Sequence, residues 1–144
     1  MKFRLIIAIL ILFLACGLQF LLGSAGVFIN VILATLIAFA FFFDFFEMVV
    51  FILFAIFVIN WQPAFSIELA LFILIPLAAF VFHKFFAWSA WAGIPVIIVG
   101  GFFVLYLVVA PYVFVGNFAT FAADLIGSLL FGELVLVALK RAEK

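Results

Sequence analysis

From residue 5 to residue 22 the chain is apolar, interrupted only by Cys16, Gly17 and Gln19, with Lys2 and Arg4 just ahead. A run of about 20 such residues matches the ~30 Å hydrocarbon core of a bilayer. Similar runs recur to the end of the chain, where residues 118–139 are followed by Lys140, Arg141 and Lys144. With 144 residues, 74% hydrophobic and 8% charged, the chain lacks the polar surface of a water-soluble domain, where charge is about 25%. Six helices of about 20 residues would use roughly 120 positions and leave only short turns. The expectation is an all-α integral membrane protein, a single six-helix transmembrane bundle over residues 1–144.

The helices are expected near residues 5–22, 27–43, 45–60, 67–82, 94–115 and 118–139. Gly23-Ser24-Ala25-Gly26 supplies the first turn. One helix over residues 27–61 would be about 52 Å long, more than any bilayer needs. Asp44 and Glu47 therefore belong in a tight surface turn, and Trp61 at an interface. Gln62-Pro63-Ala64-Phe65-Ser66 is the clearest loop, with Ser66 a helix N-cap and Glu68 complementing the dipole. Pro76 falls inside the fourth helix and should kink it or free a carbonyl for a neighbour. Residues 85–91, with Trp88 and Trp91, read as a short interfacial connection. Gly93 and Pro95 open the fifth helix, and Gly116-Asn117 turns into the sixth, with Asn117 as its cap.

The basic residues test this count. With six spans Lys2, Arg4, Lys84, Lys140, Arg141 and Lys144 all fall on one side, and the positive-inside rule makes both termini cytoplasmic. Five spans would divide them. Zero net charge argues against nucleic acid as a partner, because that partner requires a basic field. Cys16 is the single cysteine and permits no internal disulfide. Its setting has elements of a lipoprotein processing site, but Phe13 and Leu14 fit that pattern poorly and an uncleaved first span is the better reading.

No HExxH, Cys/His cluster, GxSxG or phosphate-cradling glycine loop occurs, so the reading is a non-enzyme with no catalytic residue, cofactor or metal. Asn117, Thr120, Asp124 and Ser128 share one sector of the last helix, joined by Gly127 and close to Gly132. Small residues at that spacing let helices approach, and a polar member can bond across. Asp124 lies about 10 Å past Asn117 along the helix. A carboxyl group at such depth is costly, by roughly 2.5–3.5 kcal/mol on insertion scales, and should face protein or find a partner. It is either a proton, ion or substrate site or a packing hydrogen bond; packing is preferred, since no basic residue lies within a span. Glu133, on nearly the opposite face, is expected to reach the cytoplasmic interface. Gln19, Asn30 and Asn60 cluster near the outer ends of the first three helices. They either converge on an outward pocket or bond to helix ends and backbone, and the second is preferred. His83 reads as a solvated interfacial residue, and the phenylalanines of the second and third helices read chiefly as lipid-facing.

The order of features resembles the rod-shape-determining protein MreD family of bacteria. The likeness spans most of the chain: a basic start, a first helix ending in Leu18-Gln19, a small-residue turn and a polar residue opening an aliphatic second helix. A third helix ends at Asn60 before Trp61-Gln62-Pro63, a fourth ends in His83-Lys84, and the last ends in Lys140-Arg141. The chain departs from the family at Ile29-Asn30, where Pro-Asp is usual, and at Asn60, where Asp is usual. The resemblance implies a non-enzymatic scaffold of the cell-wall elongation complex in the bacterial inner membrane. Its neighbours would be membrane lipid and an MreC-like bitopic protein, with RodA, a penicillin-binding transpeptidase and the MreB filament beyond.

That family is in turn similar to the S components of energy-coupling-factor transporters, which hold a vitamin or metal substrate. This is the alternative function, and the only one with a small-molecule ligand. Those proteins carry an Ala-x-x-x-Ala pair on the first helix, whereas the clean pair here is Ala34/Ala38 on the second. A small transporter using Asp124 is the third reading; it needs further polar groups along a path, and none is obvious.

Overall fold

The structure, a computed structural model, describes residues 2–26, 29–59 and 66–144, without the Lys2 side chain. Asn60, Trp61 and Gln62-Pro63-Ala64-Phe65 lie outside the described residues. The described residues form seven helices: α1 Lys2–Ser24, α2 Val31–Phe39, α3 Phe45–Ile59, α4 Ile67–Phe86, α5 Ala90–Val109, α6 Tyr112–Gly116 and α7 Phe118–Ala142. Four of them, within α1, α4, α5 and α7, are long and apolar enough to cross a membrane. This is an α-helical membrane protein.

At about 1.5 Å per residue α1 is some 34 Å long, sufficient for the hydrocarbon layer. It runs on through Gly23 and Ser24, and the turn follows at Ala25 and Gly26. Gly26 has φ of 76°, the left-handed conformation that glycine adopts without penalty after a helix. Ser66 caps α4 by accepting the Leu69 N–H at 3.2 Å. Asp44 and Glu47 form a capping arrangement at the start of α3: the Asp44 carbonyl accepts from Met48 N–H, and Glu47 Oε2 accepts from Asp44 N–H at 3.1 Å.

The second helix differs most from expectation. Instead of one helix over residues 27–43, α2 has nine residues, all buried, and about 13.5 Å of length. It packs against α1, α3, α4, α5 and α7 and forms the centre of the bundle. Its sequence, apolar on every side, suits a helix that touches protein all round. Thr35 satisfies its hydroxyl on the Val31 carbonyl one turn back. Residues 40–43 leave α2 as a tight turn.

Phe39, Phe41 and Phe43 consequently point into protein, correcting the lipid-facing expectation for this segment. Phe39, Phe43 and Phe51 meet with ring centroids 5.0–5.2 Å apart, in tilted and edge-on geometry. On α3, by contrast, Phe46, Phe54 and Phe57 are exposed.

Two further boundaries move. The run over residues 94–115 is broken: α5 ends at Val109, and α6 begins after Pro111. A residue before proline is driven from the helical region, and Ala110 has φ of −142°. The connection expected over residues 85–91 is shorter, residues 87–89, since α4 continues to Phe86 and α5 starts at Ala90. Left-handed Ala87, with φ of 47°, makes this short corner.

Glycines set the helix contacts. A Cβ on Gly132 of α7 would lie 2.6 Å from Ile98 of α5, and one on Gly127 would lie 2.7 Å from Ile29. Gly93 likewise admits the Phe41 ring. Close backbone approach is the main source of helix association in lipid, where apolar burial offers no drive.

One end of the bundle gathers the charge. Arg4 of α1 pairs with Glu143 beyond α7 at 3.2 Å and lies 4.8 Å from the Phe43 ring centroid. Lys140 sits 4.8 Å from the Trp91 ring centroid. His83, next to Lys84, meets the Phe41 ring in tilted geometry at 4.5 Å between centroids, so it is half-buried against an aromatic ring rather than solvated.

Candidate functional site

At the opposite end of the helices, a carboxylate and the start of α2 meet. Asp124 projects from the buried face of α7 and is 2% exposed. Its Oδ1 accepts the Asn30 N–H at 2.7 Å and the Ser128 hydroxyl at 3.1 Å, and its Oδ2 accepts the Tyr106 hydroxyl at 2.5 Å. All three donors are neutral, and they come from the residue before α2, from α5 and from α7 itself.

Gln19 of α1 completes the arrangement. Its Oε1 accepts the Ile32 N–H at 3.0 Å, and its Nε2 donates to Asn30 Oδ1 at 3.4 Å. The first N–H groups of any helix have no partner within it and carry its positive dipole end. Asp124 and Gln19 supply acceptors for two such groups, with their oxygens placed where the dipole favours them. These side chains give the first turn of a short helix within the bundle the acceptors that water would otherwise supply.

Beside this network lies a half-open cavity of about 670 Å³. Gln19, Asn30, Thr120 and Asp124 line it, as do Tyr106 and Asn117. Glu68, Tyr112 and Ser66 add polar groups, while Leu69, Phe72 and Leu105 supply apolar wall. Among the described residues, the lining contains two carboxylates and no lysine, arginine or histidine. No set of three His, Cys, Asp or Glu side chains that could hold a metal occurs among the described residues.

Gln19 bonds to the start of α2, whereas the Asn30 side chain makes no capping bond and accepts from Gln19; both border the cavity. Asn117 precedes α7, but its side chain makes no capping bond and borders the cavity. Ser128 lies fully buried beneath Asp124. Asn60 lies outside the described residues. Lys84, Lys140, Arg141 and Lys144 belong to the other end, as does Arg4.

Sequence reasoning missed Tyr106. Its signal was a phenol in an otherwise apolar run, four residues before the chain breaks at Ala110-Pro111. That places it at a depth comparable with Asp124 on the antiparallel neighbour. The reading also gave Glu68 a dipole role alone, whereas it borders the cavity. The chain matches no protein-family model, no curated protein and no solved structure.

Proposed function

We propose that this chain is a six-helix, multi-pass protein of the bacterial inner membrane, with both termini cytoplasmic. It acts without catalysis as an MreD-like scaffold of the cell-elongation complex. The observation that carries this reading is how Asp124 is used. A carboxylate accepts about four hydrogen bonds, and three of these positions are filled by protein donors that tie α2, α5 and α7 together. The one deeply buried acid thus works as a joint. The resemblance in layout supplies the partner class, an MreC-like bitopic protein in a lipid bilayer.

Topology is the first test. Reporter tags at the two ends should read from the same, cytoplasmic compartment, in keeping with the Arg4–Glu143 pair that joins α1 to the end of α7. Tags reporting from opposite compartments would falsify the six-span arrangement. The second test is functional. Membrane extracts should yield a bitopic partner and elongation proteins with the tagged chain, and depletion should round the cells. Unchanged shape together with impaired vitamin uptake rejects the scaffold.

The cavity favours a second reading, an S-component-like protein that holds a small molecule. Its volume falls within the ~300–1,000 Å³ usual for ligand pockets, and several polar groups converge on it. Against docking of an energising module, Ala34 and Ala38 are both fully buried within the bundle. Mass spectrometry of the purified protein should find a retained small molecule if this reading is right, and none if it is wrong.

A further inference from the structure

We infer that the cavity beside Asp124 receives the ammonium end of a small amphiphile. This rests on the second reading above, that the cavity holds a small molecule, and adds its chemical class.

The charge of the lining comes first. Asp124 at depth and exposed Glu68 both face this space, with no cationic side chain among the described lining residues. An anion would meet two carboxylates without compensation. Of the helix starts at the cavity, that of α2 is occupied by Asp124 and Gln19 and that of α4 is capped by Ser66 beside Glu68, while that of α7 at Asn117 has no side-chain cap. Neutral donors fill three of about four acceptor positions on Asp124, and no cationic side chain is among them. One further donor can be accommodated.

The shape of the lining then selects among cations. A bare metal ion needs several hard oxygen ligands gathered at one point, and no acidic cluster of that kind occurs among the described residues. An organic ammonium instead uses aromatic faces, and Tyr106, Tyr112 and Phe72 border the same space. Apolar wall such as Leu105 suits the body to which the ammonium is attached. A free amine and an ethanolamine lipid headgroup present this same chemistry.

The test uses the full chain in maltoside micelles and three probes of one shape: 2-phenylethylammonium, 2-phenylethanol and phenylacetate. Titration followed by thermal unfolding should show saturable stabilisation by the ammonium, with the alcohol and the acid each at least tenfold weaker. Glu68→Gln and Tyr112→Leu, at exposed positions, should each weaken the ammonium about fivefold. Glu68→Gln, which also loses its dipole contact at the start of α4, should lower the unfolding temperature of the unliganded protein only slightly, and Tyr112→Leu should leave it unchanged. Dihexanoyl-phosphatidylethanolamine displacing the probe, with the phosphatidylglycerol analogue inert, assigns the ammonium to a lipid headgroup. Displacement by neither assigns it to a free amine. Equal or tighter binding of the alcohol or the acid overturns the charge assignment while the cavity remains a binding site. Absence of saturable binding by all three probes overturns the small-molecule reading as well.

Discussion

Asp124→Leu should destabilise the folded bundle by about 3 kcal/mol, the largest effect expected of any single polar substitution here. The change leaves the buried Ser128 hydroxyl, and the Asn30 N–H and Tyr106 hydroxyl beside the cavity, without their acceptor. A lost bond between membrane helices averages about 0.6 kcal/mol and reaches about 1.7, and three are lost at once. Removing a carboxyl group from the bilayer does not offset this. The unfolded reference state also has its helices inserted, and there the acid lacks its three donors, so the folded state is the one that shelters it. Unfolding by SDS titration from mixed micelles measures the difference.

Conservative variants separate the roles of Asp124. In Asp124→Asn the remaining carbonyl can still accept from Asn30 and Ser128, while the new amide cannot accept from Tyr106. A loss of about 1 kcal/mol is expected, with function retained; Tyr106→Phe should behave alike. If Asp124→Asn abolishes activity while the unfolding midpoint stays put, the carboxylate moves a proton or an ion and the joint reading fails.

A neighbouring pair of glycines should give the second large effect. Gly101→Leu is expected to cost about 2–3 kcal/mol, and Gly100→Leu no more than about 0.5. These two residues are adjacent on α5 but look in different directions. A Cβ on Gly101 would lie 2.7 Å from Ile75 of α4, with Ile37 of central α2 behind it at 3.8 Å. Gly100 has nothing within 4 Å and is exposed. Ile75 and Ile37 are buried, so neither can swing away cheaply. Shortening the obstructing side chain should relieve the clash: Ile75→Ala combined with Gly101→Ala ought to be more stable than the sum of the single effects. Additive losses, or equal losses at both glycines, would show that α4 and α5 do not pack at this point.

Comparing α2 with α7 shows where sequence reading stops. In α7 the polar and small residues recur on one side, so the buried face through Asp124, Ser128 and Gly132 could be named from spacing alone. In α2 no side is distinguished, because every residue is apolar or the self-satisfied Thr35. A stretch apolar all round reads equally as a lipid-embedded span and as a buried core helix. The phenylalanines after it were misplaced for the same reason.

The cavity shows the same limit. Gln19 and Asn30 could be grouped near one end of the helices, and Asp124 could be placed at depth on its own. Their connection is set across α1, α2 and α7, with Asn30 and Asp124 94 positions apart in the chain. Tyr106, one phenol among aliphatic neighbours, carried too little local pattern to be joined to them.

By itself, then, the sequence determined that this chain is helical and lives in a membrane, because four long apolar helices leave backbone groups no other way to be satisfied. It also determined the small and polar face of α7 and the Ser66 cap, since both depend on neighbours only a few residues away. Only the tertiary structure decided that α2 is a short, wholly buried central helix instead of a helix over residues 27–43. Its start is held by Gln19 and Asp124, side chains from other helices, and hydropathy records how much a residue avoids water, not whether lipid or protein takes water's place.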